Sequence, residues 1–87
     1  MLIKVINARY VGGHIMEVSF NDGVIKKVDL KDCFRGPVFE ELKEVENFKN
    51  FSLNRWTIEW ANGADLAPEF LYDLAMQQDQ GGAVKKV

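Results

Sequence analysis

The chain holds one cysteine and one histidine among 87 residues, and that scarcity closes several routes to function. One cysteine cannot form a disulfide within the chain, and small secreted domains usually depend on several disulfides. A reducing, cytoplasmic setting is therefore expected. A zinc site needs about four ligands, commonly Cys and His at short spacings. Cys33 and His14 lie far apart, and Glu17, three residues from His14 on an expected strand, points to the opposite face. No metal and no cofactor are expected. Nucleophilic catalysis needs a thiol or hydroxyl beside a positioned base. No local motif joins Cys33 to His14, so Cys33 reads as a small buried hydrophobe.

Charge of one sign is also lacking. Eleven basic and 13 acidic side chains leave a net charge of −2, whereas nucleic-acid modules gather a basic excess to neutralise phosphates. Direct nucleic-acid binding is not expected. No stretch approaches the roughly 20 apolar residues of a membrane span. The apolar start Leu2-Ile3-Lys4-Val5-Ile6 is too brief for a secretory leader. Gly12-Gly13 and Gly81-Gly82 lack the strand–loop–helix setting of a phosphate loop.

What is present is an ordinary globular composition, 47% hydrophobic and 28% charged, in a length that fits one domain. A domain of this size buries only about 60–65% of its unfolded surface. Residues 2–11 are rich in β-branched and aromatic side chains and end at Gly12-Gly13, which predicts a strand and a turn. Residues 14–20 and 24–30 predict two more strands around Asn21-Asp22-Gly23. A three-residue loop there opposes Phe20 to Val24, Val18 to Lys26, Met16 to Val28 and His14 to Leu30. That register keeps the apolar residues on one face, and Gly23 suits the left-handed position that such a loop needs.

Gly36-Pro37 opens a helix expected over 37–44, with proline at its first position. Phe39, Leu42, Val45 and Phe48 recur near helical spacing. Residues 50–60 predict a second hairpin turning at Asn54-Arg55, with Leu53 opposite Trp56 and Phe51 opposite Ile58. Trp60 extends that face, while Arg55, Thr57 and Glu59 form the polar one. Asn62-Gly63 stops the strand. A last helix begins at Pro68, with Phe70, Leu71 and Leu74 as its apolar stripe. The expected architecture is α+β: about five antiparallel strands with two short helices in a single domain, 1–76. A flexible C-terminal tail is expected over 77–87.

Two stretches carry a family pattern. Gly36-Pro37-Val38-Phe39-Glu40 with Leu42 is the first. The second runs from Trp60-Ala61-Asn62-Gly63-Ala64-Asp65 through Leu66-Ala67-Pro68-Glu69 to Leu71-Tyr72. Together they resemble the small bacterial domain-of-unknown-function family numbered 2442. Phe20-Asn21-Asp22-Gly23 and Val28-Asp29-Leu30 fit it as well, while Ala61 stands where that family commonly has proline. The resemblance covers residues 14–75. It implies an α+β fold and no known catalytic residues. Some relatives look fused to a helix-turn-helix segment; others look encoded beside small partner proteins, as in toxin–antitoxin pairs. This chain is too short for a helix-turn-helix, so a DNA-binding role is not implied for it.

Trp60, Asn62 and Asp65, with Arg35 and Tyr72 near them, form the one cluster whose residue types could make a recognition corner. Each also has a structural use: Asn62-Gly63 as a turn, Asp65 as an acceptor before the last helix, and Trp60 as a core residue. Glu40, Glu41, Glu44 and Glu46 read as a solvated face. With no catalytic constellation, ten aromatic residues and open sheet edges, the expected function is a non-catalytic protein-interaction module that binds a protein partner or itself. The alternative is a small-molecule-binding domain or modest enzyme at the Trp60–Asp65 corner.

Overall fold

In the computed structural model, residues 2–34 and 36–85 are described, with side chains through Gln78. Three strands open the chain: β1 (Val5–Gly12), β2 (Ile15–Phe20) and β3 (Ile25–Asp29). They form one antiparallel sheet in the order β1-β2-β3. The expected register holds, with Met16 opposite Val28 and Val18 opposite Lys26. The Phe20 N–H donates to Val24 O (2.8 Å) and the Leu30 N–H to His14 O (2.9 Å). Gly23 takes φ 95°, the left-handed conformation the loop demands. Met16, Val18, Phe20 and Val28 are fully buried on one face. The other face carries a charged row in which Arg9 meets Glu17 at 3.1 Å.

The second sheet is the hairpin of β4 (Phe51–Asn54) and β5 (Thr57–Trp60). Its turn lies at Arg55-Trp56, one residue beyond the expected one, so Leu53 faces Ile58 and Phe51 faces Trp60. Moving a turn by one residue moves each cross-strand partner by two, so every side chain keeps its face. The apolar alternation is blind to that change. Arg55, at φ 33°, occupies a conformation that favours glycine. Thr57 is not solvated as its polarity implied: it is 7% exposed, and its hydroxyl donates to Leu66 O. The covering segment adds an isolated bridge between Glu59 and Asp65.

Between the sheets the chain is irregular. The single helix expected over 37–44 is instead α1 (Pro37–Glu40), a 3-10 turn (Glu41–Lys43) and α2 (Val45–Phe48), broken at Glu44 with ψ 125°. The spacing of the apolar residues explains the break. Phe39, Leu42, Val45 and Phe48 recur every third residue, and in a continuous α-helix each such step rotates about 60° off the face. Phe48 would then point away from Phe39. Breaking the helix lets Leu42 (2% exposed) and Phe48 (0%) both reach the core.

Helices of four residues have no stability of their own, so this segment is held from outside. The Trp60 Nε1–H donates to Phe48 O at 2.7 Å inside the core. Asn62 Nδ2 donates to Val38 O at 2.8 Å, and the His14 Nε2–H to Leu42 O at 3.0 Å. Phe34, Phe48 and Trp60 pack together with centroids 5.8–6.0 Å apart. Cys33 is half-buried against this core.

The last helix, α3 (Pro68–Lys85), starts where expected; residues 86–87 of the expected tail lie outside the described residues. Its buried stripe is Leu71 and Ala75, with Leu74 partly buried; Phe70, placed in that stripe from the sequence, is 45% exposed.

Replacing Trp60 by Phe keeps the ring in the core but leaves the Phe48 carbonyl without its donor. A loss of about 1–3 kcal/mol is expected in urea unfolding. Asn62→Ala, at an exposed bond, is expected to cost less, about 0.5–1.5 kcal/mol. Equal and negligible losses in both variants would contradict the docking role of these donors.

Candidate functional site

Trp60 and Asn62 stand together at the end of β5 because Asn62-Gly63 turns the chain there. Gly63, at φ 89°, takes the left-handed turn position. Its N–H donates to Trp60 O (2.9 Å), and Ala64 N–H donates to Asn62 Oδ1 (3.0 Å). With its carboxamide also bonded to Val38, Asn62 is engaged at both ends. Trp60 is 3% exposed. Asp65 is exposed on the same loop. Arg35 lies outside the described residues.

Tyr72 belongs to a different neighbourhood. It packs edge-on against Phe20, with centroids 5.0 Å apart, and its hydroxyl donates to Asp22 Oδ2 at 2.7 Å. Asp22 also accepts the Val24 N–H at 3.0 Å. Among the described candidates, Trp60 and Asn62 meet the irregular segment, while Tyr72 fastens α3 to the β2–β3 loop.

The pocket beside Trp60 and Asn62 is lined also by Leu42, Asn47, Asn50 and Ala61 and has a volume of about 90 Å³. Small-molecule sites commonly enclose about 300–1,000 Å³, and this space is the size of a few waters. The neighbouring amides are committed to the backbone, Asn47 Nδ2 to Glu41 O and Asn50 Nδ2 to Glu46 O, both at 2.9 Å. Among the described residues no three His, Cys, Asp or Glu side chains gather as a ligand set, and no helix is long and apolar enough to cross a membrane.

Two functional candidates escaped the sequence reading. Trp56 was placed in a strand, yet it sits in the β4–β5 turn and is 44% exposed. Lys4 Nζ lies 5.8 Å from its ring centroid, and the Arg55 guanidinium carbon 5.7 Å. The Val5 N–H donates to Trp56 O at 2.7 Å, which ties the start of β1 to this tip. Leu53 (46% exposed) belongs to the same hairpin; Ile6 (59%) and Leu2 (62%) flank Lys4 and Val5 in the chain. The other is Gln78, whose carboxamide bonds both backbone groups of Asp29 at 2.8 Å. Its spacing of three and seven from Ala75 and Leu71 was the available signal.

The Tyr72 bond, followed by that from the Val24 N–H, holds the Asp22 carboxyl below its usual pKa. The same bond, followed by burial, raises the Tyr72 phenol. The contact therefore stabilises the fold at neutral pH. Its carboxylate contribution is lost as pH falls through the lowered Asp22 value, and its phenol contribution as pH rises through the raised Tyr72 value. In Tyr72→Phe, the acid loss of stability below about pH 4 is expected to be shallower in pH-dependent urea titrations. An unchanged acid limb would contradict the contact.

No curated protein and no solved structure matches the chain. Over residues 5–77 it matches the family described as protein of unknown function (DUF2442), which includes the Trp60–Asp65 corner and the irregular segment docked on it. The chain belongs to that family.

Proposed function

We propose that this domain is a non-catalytic protein-interaction module that engages an acidic protein partner through the end of the molecule carrying Trp56. The observation that supports this reading is a half-exposed indole with two cations within 5.8 Å of its ring centroid, in a chain of net charge −2. Tryptophan and arginine are the residues most enriched at interface hot spots, where a rigid ring fills a partner's pocket. The exposed Leu53, Ile6 and Leu2 add apolar area at this end. A local positive patch favours a partner segment rich in carboxylates, while like-charge contact with the acidic remainder of the chain disfavours misplaced docking.

Recognition by side chains fits this fold better than strand addition. The edge of β1 is interrupted by irregularities between Val5 and Asn7 and between Tyr10 and Gly12, and such bulges blunt a strand for pairing. β5 is already bridged to Asp65 through Glu59. A cytoplasmic setting fits a chain with one cysteine.

The test is capture from the native lysate with wild-type protein, Trp56→Ala and Lys4→Glu/Arg55→Glu in parallel. A stoichiometric partner is expected with wild type alone. Trp56→Ala should lower the affinity of the purified pair at least about thirtyfold while shifting stability by no more than about 0.5 kcal/mol. The charge variant should slow association and flatten its salt dependence. A partner that binds all three proteins equally would place the interface elsewhere.

A further inference from the structure

β3 is an edge strand of the three-stranded sheet. Its backbone alternates: Val24 O accepts the Phe20 N–H and the Leu30 N–H donates to His14 O, so by the two-residue period Lys26 and Val28 face β2. Ile25, Lys27 and Asp29 turn their N–H and C=O groups outward. All three are exposed, with Ile25 at 59%. Such a row is a template for another strand.

Gln78 occupies one end of that row. Its Oε1 accepts the Asp29 N–H and its Nε2 donates to Asp29 O, both at 2.8 Å. A primary carboxamide presents the same donor and acceptor pair as a peptide group, so Gln78 stands where the backbone of a fourth strand would stand. We infer that Gln78 is an edge guard, whose carboxamide keeps β3 from pairing with a second copy of the chain.

The second copy is the occupant the register defines. Antiparallel pairing of two β3 strands about a two-fold axis at Lys27 sets Ile25 opposite Asp29 and Lys27 opposite Lys27. Asp29 is the residue Gln78 covers, and the facing lysines repel. The edge is thus closed by two independent means, one steric and hydrogen-bonded, the other electrostatic. The contact also anchors α3 along the edge: Tyr72 fastens the helix at Asp22, before β3 begins, and Gln78 fastens it at Asp29, where β3 ends.

The test uses the full chain as wild type, Gln78→Ala, Gln78→Glu and Gln78→Ala/Lys27→Thr, read by backbone amide exchange and sedimentation velocity. Gln78→Ala is expected to speed Asp29 amide exchange about tenfold, the equivalent of one hydrogen bond. Gln78→Glu keeps the size but sets a carboxylate oxygen against Asp29 O, and should speed that exchange without the loss of bulk. The double variant is expected to form a concentration-dependent dimer in which the amides of Ile25 and residue 27 become protected. An Asp29 exchange rate unchanged in both single variants would overturn the guard. So would a double variant that stays monomeric, or one that dimerises without protection of those two amides.

Discussion

The hydrogen bond from the Trp60 indole to the Phe48 carbonyl is the contact on which the rest of the molecule depends. A buried carbonyl without a donor costs more than an ordinary hydrogen bond contributes, and Phe48 ends a segment that has no regular structure to satisfy it. Residues 37–48 consist of helical turns too short to persist alone. Three donors reach into them from the two hairpins: Trp60 from the end of β5, Asn62 from the turn after it, and His14 from the turn just before β2. The two sheets and the irregular segment thereby share one core around Phe34, Phe48 and Trp60. The two sequence stretches that carry the family pattern, 36–42 and 60–72, meet across the Asn62–Val38 bond. The pattern is thus a docking arrangement written in two places.

How far the sequence disclosed this differs by element. The β2–β3 hairpin was legible to the residue, because a one-residue slip would have put Val18 and Met16 in water and Gly23 supplied the turn. In the β4–β5 hairpin, a turn moved by one residue left every face unchanged, and nothing in the alternation could locate it. Apolar residues spaced by three imitate an α-helical stripe over 37–48, but that interval accumulates a drift that only a break can correct. Phe70 failed for a related reason. Three consecutive turns of α3 offer Leu71, Ala75 and Gln78 to the sheet, and Phe70 lies off that line.

Of the candidates Arg35, Trp60, Asn62, Asp65 and Tyr72, Trp60 and Asn62 have hydrogen-bond partners 12 and 24 residues away in the chain. No local pattern announces such partners. Trp60 and Asn62 hold the fold together, whereas Trp56 leaves its ring half exposed in the β4–β5 turn. The two tryptophans thus divide the labour. One is 3% exposed and bonded to the backbone; the other is 44% exposed and flanked by cations. At the opposite side of the sheet, Gln78 bonds both backbone groups of Asp29 at the end of β3, the contact proposed to guard that edge. The proposed recognition through the hairpin tip and the proposed closure of the β3 edge would complement each other, since together they would favour a chosen partner over indiscriminate pairing.

The most direct measurement is hydrogen exchange of the two indole N–H groups, which a nitrogen-labelled sample resolves as two separate signals. The Trp60 N–H, buried and bonded to Phe48 O, is expected to exchange only through global unfolding, at a rate set by the stability of the whole domain. The Trp56 N–H is expected to exchange with solvent many times faster. Comparable rates for the two indoles, or a Trp60 N–H that exchanges well before the sheet amides, would contradict the claim that this bond holds residues 37–48 in the core.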